Sequence, residues 1–492
     1  MNENHERLKR GFNWLGGASV IARIVDFLTI LTMLLFLTKD QVGIASLVVS
    51  IGMVVEALNG LGTGEALIQA RSVSREQLDT LFWYVVGAAI LAGGLTLAAA
   101  PAIAALYGVA GMASYFLAIA VKQPLVGAAL IPLALMNRDL QYERIALVNV
   151  CATIGAALTR LALGASGAGV WALVIGYSAS GLYILIGAML ARPFRARLRF
   201  QMEAIRPLAR FGTRAVTANV AEQMFKNVDY MLIGWFYGAS SLAIYRVAFD
   251  VAMEPAMAVG TLVNRTTLPV FARVAASGGQ LVEILAWSLR RIVGLVAPLL
   301  AALFLVAGPL MSLLHDGQGH SYAAAATPLK LLAIAALLRV VLQLLATMMM
   351  GSGRPGTVAR LSAMTLLLLS GSILAVGCIF QARLGLIAVS AVWLAIYPLL
   401  LGWGLFTIHR HWQIGVASVL EAVVTPLAGV AIIVAVVEVV RRLIDGGPPV
   451  QIAIVALATA ATYAGLFLYS RNRVAVGQNP ARSETDPKRI LP

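Results

Sequence analysis

The residues most able to do chemistry are charged side chains set inside long apolar stretches. Arg23 and Asp26 lie three positions apart, and Arg246, Asp250 and Glu254 follow one another at four-residue steps. In a helix, both spacings put the side chains on one face. A charged residue at the centre of a membrane helix costs about 2.5–3.5 kcal/mol. These residues therefore predict a polar cavity inside a membrane.

Other apolar stretches extend the same pattern. Glu222, Lys226 and Asp229 form one continuous helical stripe. Arginine presents a planar fork that fits phosphate or carboxylate oxygens, and lysine presents a point charge, so an anionic group is the predicted ligand. The residues predicted to line the cavity and bind substrate are Arg23, Asp26, Glu56, Asn59, Arg214, Glu222, Lys226, Asp229, Arg246, Asp250, Glu254, Asn264 and Arg265.

The acidic members of this set suggest two roles. Asp26, Glu56, Asp250 and Glu254 can hold the arginines in place while the cavity is empty. Acidic groups in membrane helices also act as ion relays, so coupling to H⁺ or Na⁺ is an open alternative. Neither Gly-x-x-x-x-Gly-Lys-Ser/Thr nor His-Glu-x-x-His occurs in the sequence. We therefore expect no catalytic residue, no resident metal and no cofactor.

The composition indicates which elements carry these charges. Of the 492 residues, 60% are hydrophobic and only 12% are charged, against about 25% charged in soluble domains. Long apolar runs without alternating polarity favour helices over a membrane β-barrel. The sequence therefore predicts an all-α polytopic membrane protein, and it excludes the soluble enzyme classes.

About fourteen stretches are long enough to cross a bilayer, for which a helix needs about 20 residues. Their approximate limits are 11–37, 42–62, 79–100, 113–136, 145–164, 170–191, 209–236, 241–268, 292–314, 323–350, 357–380, 386–407, 415–440 and 450–470. The densest basic stretch, 192–210, separates two predicted six-helix lobes, residues 1–200 and 201–412. Two extra helices follow within 413–470, and 471–492 is a polar tail.

The charges also predict which helices surround the cavity and how the chain is oriented. The first two spans of each lobe carry most of the membrane charge, so spans one, two, seven and eight should enclose a central cavity. Twenty-four of the 37 basic residues lie on the side of the N-terminus, and four lie on the opposite loops. The positive-inside rule therefore places both termini in the cytoplasm. The net charge of +15 thus arises mainly from basic residues that orient the chain in the membrane, and it implies no nucleic-acid partner.

Several short segments carry a resemblance to a known family. They include Asn227-Val228-Asp229-Tyr230-Met231-Leu232-Ile233-Gly234, Tyr237-Gly238-Ala239, Ala243-Ile244-Tyr245, Gly167-Ala168-Gly169-Val170-Trp171-Ala172-Leu173, Gly351-Ser352-Gly353-Arg354, Phe211-Gly212 and the alanine-rich run 323–333. Over roughly residues 10–470 the chain resembles the polysaccharide-transport, O-antigen flippase-like members of the multidrug/oligosaccharidyl-lipid/polysaccharide exporter superfamily. One departure is Tyr322, where this family usually has tryptophan.

The resemblance implies twelve to fourteen helices in two lobes around an alternating-access cavity. It also implies a substrate, a lipid-linked oligosaccharide of the undecaprenyl-diphosphate type that is flipped across a bacterial inner membrane. Together with the charge pattern, it places the diphosphate near Arg23, Lys226 and Arg246, the sugars in the cavity and the prenyl tail in lipid. Membrane lipids, a polysaccharide polymerase and glycosyltransferases are the expected partners.

Two other functions stay open at this point. A cation-coupled multidrug or small-molecule exporter would use Asp26 as its coupling acid, but a drug site should be acidic and aromatic rather than rich in arginine. A membrane-embedded glycan polymerase or ligase would more often carry a large outer loop with acidic residues, whereas the outer loops here are short.

Overall fold

The computed structural model describes residues 2–59, 63–64, 67, 73–277, 279–380, 382–444 and 446–477. Within these ranges the chain is helical and contains no strand beyond one isolated bridge between His315 and Ser321. The helices are α1 (Asn2–Met33), α2 (Lys39–Asn59), α3 (Arg75–Tyr107), α4 (Met112–Arg138), α5 (Tyr142–Ala165), α6 (Val170–Ala191), α7 (Met202–Ala276), α8 (Leu281–Leu313), α9 (Ala326–Gly351), α10 (Pro355–Ile379), α11 (Ala382–Trp412), α12 (Val416–Leu443) and α13 (Pro448–Gly477).

Helix α7 consists of two limbs joined at Gly238. This residue has φ 80° and ψ 175°, a conformation that glycine adopts readily because it lacks a Cβ. The first limb, 202–237, and the second limb, 239–276, contain the predicted spans 209–236 and 241–268 and extend beyond them. Twelve other helices in the described part are long and apolar enough to cross a membrane. The prediction of an all-α, multi-pass membrane protein is confirmed, and fourteen spans result if each limb of α7 crosses once.

The helices pack in two groups. In the first, α1 lies against α5, α3 against α4, and α6 against both α4 and α5. In the second, α9 packs against α7, α8 and α11, while α12 and α13 pack against α8. Helix α2 connects the groups because it packs along α7 as well as against α4 and α6. The lobe limits 1–200, 201–412 and 413–470 remain predictions.

Helices α2 and α7 approach most closely on the predicted outer side. A Cβ added to Gly43 would lie 1.8 Å from the Ala239 carbonyl oxygen, and one added to Gly234 would lie 2.4 Å from a methyl of Leu47. We call Gly43, Leu47, Gly234 and Ala239 the outer seal. Its neighbours form a buried apolar layer that contains Leu34, Leu37, Val42, Leu242 and Ala243. The seal therefore depends on backbone contact that only glycine permits.

Two loops reinforce the outer seal. The Gly317 N–H, in the loop after α8, donates to the Leu37 carbonyl at 3.0 Å, and the Lys39 ammonium donates to the Ser321 carbonyl at 2.8 Å. Within the loop after α8, the Asp316 carboxylate accepts hydrogen bonds from the backbone N–H groups of Gln318 and His320. Burial raises the pKa of Asp316, but these donors outweigh it, so the pKa lies below its usual value.

Candidate functional site

A central cavity of about 560 Å³ lies among α1, α2 and the two limbs of α7, with contributions from α5, α6, α9 and α11. Six of the predicted site residues line it: Arg23, Asp26, Lys226, Arg246, Asp250 and Glu254. Arg23 and Asp26 lie on one face of α1, and Arg246, Asp250 and Glu254 lie on one face of the second limb of α7. Their spacing of three or four residues therefore explains why they reach the same cavity. The central cavity is therefore polar although its walls belong to membrane helices.

A second cavity of about 610 Å³ adjoins the first toward the predicted cytoplasmic ends of α2 and α4. We call it the inner cavity. It shares Met53, Tyr177 and Gln223 with the central cavity. Two more predicted residues, Glu56 and Glu222, line it, together with amide side chains from α4 and α7. The two cavities form one polar region that extends toward the predicted cytoplasmic side.

Every carboxylate that lines these two cavities within the described residues has a cationic partner. The pairs are Arg23 with Glu254 at 2.8 Å, Arg160 with Asp26 at 2.9 Å, Lys122 with Glu56 at 2.7 Å, Lys226 with Glu222 at 2.6 Å, and Arg246 with Asp250 at 3.3 Å. The last two pairs lie within one helix at the four-residue step that the sequence predicted. The first three connect different helices.

The pairs differ in their access to the cavity. The side chains of Arg23 and Glu254 are 42% and 48% exposed, so water screens their attraction and a ligand can compete for either partner. The Lys122 side chain is only 4% exposed, while its partner Glu56 is 29% exposed. Lys122 also lies 3.3 Å from the centre of the Tyr177 ring. The first pair is therefore exchangeable, and the second is a fixed part of the wall.

Some predicted site residues lie away from the cavities. Asp229 is buried against the second limb of α7, where its carboxylate accepts a hydrogen bond from the Tyr245 hydroxyl at 3.0 Å. Asn59 is buried and its amide donates to the Gln123 side chain of α4. Asn264 is buried too and lines neither cavity. The side chains of these three residues are buried outside the lining of both cavities, and their part in substrate binding remains a prediction. The side chains of Arg214 and Arg265 lie outside the described residues.

Other cavity residues were missing from the predicted set. Lys122 on α4, Arg160 on α5 and Arg339 on α9 all line a cavity, so the lining extends beyond spans one, two, seven and eight. The sequence held the signal, because each is a basic residue in a membrane span and carries the same insertion cost as Arg23. Lys122 pairs with Glu56 on α2, and Arg160 pairs with Asp26 on α1, which explains why these two helices hold acidic residues.

A third cavity, of about 310 Å³, lies between α1, α5 and the second limb of α7. We call it the lateral groove. Small residues that include Gly16, Ala18, Ala146 and Ala258 form much of its wall, and Ser19, Asn149 and Thr261 add polar groups. Arg23 lines both the lateral groove and the central cavity. One cation thus lies where the lateral groove meets the polar region.

Comparisons with known proteins agree with this architecture. The family described as "Polysaccharide biosynthesis protein" matches residues 33–324. Lipopolysaccharide biosynthesis protein WzxC of Escherichia coli (strain K12) is 21% identical over 360 residues, covering 71% of either chain. Teichuronic acid biosynthesis protein TuaB of Bacillus subtilis (strain 168) is 23% identical over 299 residues, covering 60% of this chain and 61% of the relative.

A solved structure shares the fold over nearly its whole length. The structure titled "Lipid II flippase MurJ, inward closed conformation" superposes with a TM-score of 0.72 at 14% sequence identity. The match covers 94% of this chain and 99% of that one. The fold of this chain is therefore one already seen in that solved protein.

Proposed function

The chain belongs to the polysaccharide biosynthesis protein family, and we propose that it flips a lipid-linked oligosaccharide of the undecaprenyl-diphosphate type. It would do so as a transporter rather than as an enzyme. The observation that carries the proposal is the position of Arg23, which lines both the central cavity and the lateral groove. The charged link of a lipid-linked oligosaccharide, which joins its sugar head to its lipid tail, would lie at this junction.

The head group fits the polar region by charge and by hydrogen bonding. Arg23, Lys226 and Arg246 give the central cavity cations that suit diphosphate oxygens. The inner cavity adds the amides Asn137, Asn219 and Gln223 along its wall, and such groups can donate to and accept from sugar hydroxyls. We therefore assign the diphosphate to the central cavity and the sugars to the inner cavity, while the prenyl tail leaves through the lateral groove.

The outer seal supports alternating access as the mechanism. Helices α2 and α7 are in backbone contact on the predicted outer side, and the polar region extends toward the predicted cytoplasmic side. Rocking the two groups of helices about the cavity would break the seal and expose the head group to the other side. We propose the bacterial inner membrane as the location, with both termini in the cytoplasm.

Coupling and partners complete the proposal. The carboxylates Asp26, Asp250 and Glu254 line the central cavity, where a substrate that takes their cations would leave them free to accept H⁺ or Na⁺. Glycosyltransferases that build the repeat unit and a polymerase that consumes it are the proposed partners. A multidrug exporter fits less well, because all the lining carboxylates described above are neutralised by cations. The large outer loop expected of a glycan polymerase or ligase is not encoded in the sequence.

The experiment that tests this function is a strain lacking the protein. We expect lipid-linked repeat units to accumulate on the cytoplasmic leaflet, where a membrane-impermeant sugar-labelling reagent cannot reach them in intact spheroplasts. Complementation with the intact chain should restore labelling. Normal labelling of the outer leaflet in the deletion strain would contradict the proposed function.

Alanine substitutions test the assignment of the diphosphate. We expect Arg23→Ala, Lys226→Ala and Arg246→Ala each to lower polysaccharide export severalfold or more, because a hydrogen bond to a charged group contributes about 1.5–3 kcal/mol. Lys330→Ala is the matched control, since Lys330 is a membrane cation that lines neither the central nor the inner cavity. Export by all three variants at the level of the control, with equal protein in the membrane, would exclude these cations as diphosphate ligands.

A further inference from the structure

Arg339 differs from the other cations of the polar region in its partners. It lines the central cavity from α9, yet within the described part of the chain it has no carboxylate within the 4.0 Å that defines a salt bridge. The other described lining cations, Arg23, Lys122, Arg160, Lys226 and Arg246, are each neutralised by an aspartate or glutamate. Arg339 is therefore the lining cation of the described cavity wall that holds no salt bridge, although Asp229 and Glu254 attract it at longer range.

The contacts of Arg339 leave most of its hydrogen-bonding capacity unused. Its guanidinium carbon lies 5.8 Å from the centres of the Phe225 and Trp393 rings, and one N–H points to the Met253 sulfur at 4.0 Å. A guanidinium has five N–H donors, and no other hydrogen bond of Arg339 occurs among the described residues. Aromatic and thioether neighbours stabilise the cation weakly and do not satisfy its donors.

A chain of hydrogen bonds fixes one of these aromatic neighbours. The Trp393 indole N–H donates to the Tyr245 hydroxyl at 2.7 Å, and that hydroxyl donates to the Asp229 carboxylate at 3.0 Å. Trp393 and Tyr245 lie on different helices, so the chain also ties α11 to α7. This gives buried Asp229 a role as a positioning residue. The aromatic setting of Arg339 is thus preorganised rather than adaptable.

We propose that Arg339 binds phosphate oxygens of the substrate in the central cavity, an inference that rests on the proposed function. The other lining cations must give up a salt bridge before they can hold an anion, whereas Arg339 gives up none. Its fork can contact two phosphate oxygens at once. Arg339 is therefore the lining cation that can hold an anionic head group before any ion pair opens.

The test measures binding by the purified full chain in detergent micelles, with undecaprenyl diphosphate as the probe. We expect Arg339→Ala to weaken this binding at least about tenfold, and Arg339→Lys to retain part of the affinity because it keeps the charge but not the fork. Lys330→Ala is the matched control. Lys330 lies on the same helix, 5.6 Å from the centre of the Phe304 ring, and lines neither the central nor the inner cavity.

Three further ligands identify the source of the phosphate. Undecaprenol has the tail without phosphate, inorganic pyrophosphate has the phosphates without the tail, and phosphatidylglycerol is an ordinary anionic lipid. Arg339→Ala should weaken the binding of pyrophosphate and leave that of undecaprenol unchanged. An equal loss for phosphatidylglycerol would mark a general phospholipid site and overturn the inference.

The same measurements separate this inference from the proposed function. If the unmodified chain prefers undecaprenyl diphosphate to undecaprenol and Arg339→Ala binds it equally well, the role of Arg339 is refuted while the flippase function stands. If the unmodified chain shows no preference for the diphosphate lipid, the proposed function fails together with the inference. Unchanged thermal unfolding of Arg339→Lys shows that any loss of affinity in that variant is not a loss of fold.

Discussion

Glu56→Ala is expected to lower the free energy of unfolding by about 3–5 kcal/mol, the typical cost of removing one partner of a buried ion pair. The substitution leaves the Lys122 ammonium without its carboxylate in a wall where only 4% of its side chain is exposed. The Tyr177 ring beside it offers only a weaker cation–π contact. Denaturant titration of the purified protein in micelles measures the change.

Glu254→Ala is the matched control for this prediction. It also removes a glutamate from a short salt bridge, but the partner Arg23 is 42% exposed to the cavity. An exposed pair contributes at most about 1 kcal/mol, so the control should unfold almost like the unmodified chain. Adding Lys122→Met to Glu56→Ala should recover most of the lost stability. Equal destabilisation by the two glutamate substitutions would show that burial of Lys122 is not the cause.

Gly43→Ala is expected to reduce polysaccharide export at least about tenfold by preventing closure of the outer seal. The new Cβ would lie 1.8 Å from the Ala239 oxygen and 2.8 Å from its Cα, whereas carbon atoms pack at about 3.5–4.0 Å. Because the obstacle is backbone, no side-chain rotation relieves the overlap. Helices α2 and α7 must separate, so the transporter would populate its inward-facing state less.

Labelling of a cysteine checks the reason for this loss. Ser50 lines the central cavity, and Ser50→Cys should react with a membrane-impermeant maleimide from outside faster when Gly43→Ala is also present. Gly94→Ala is the matched control, since nothing lies within 4 Å of a Cβ added to Gly94 on α3. If Gly43→Ala exports normally and leaves the labelling rate unchanged, the α2–α7 contact is not the gate.

Local spacing predicted the pairs that lie within one helix. Lys226 with Glu222 and Arg246 with Asp250 occur as the four-residue steps require. The fourteen apolar stretches likewise have helical counterparts, because length and hydropathy alone decide whether a segment can cross a bilayer. These features depend on residues close together in the chain, so they are available from the sequence.

Pairs between helices could not be predicted in the same way. Asp26 and Arg160 are 134 positions apart, and Glu56 and Lys122 are 66 positions apart. Their contact depends on how neighbouring helices are rotated and stacked. Asp229 illustrates the same difficulty, since its place on the stripe with Lys226 allowed either the cavity or the α7 interface. In the structure the Tyr245 hydroxyl donates a hydrogen bond to the Asp229 carboxylate at the α7 interface. The spacing of residues along the chain does not reveal this partner.

The most direct measurement is transbilayer movement of lipid-linked repeat units in vesicles that contain the purified full chain. The units, extracted from the deletion strain, are placed in both leaflets, and a sugar-modifying enzyme added outside reports how much it can reach. We expect nearly complete modification with the unmodified chain, about half with empty vesicles, and a rate at least about tenfold lower with Gly43→Ala. If the enzyme modifies only half of the units in vesicles that contain the folded, unmodified chain, the proposal that this protein is a flippase is contradicted.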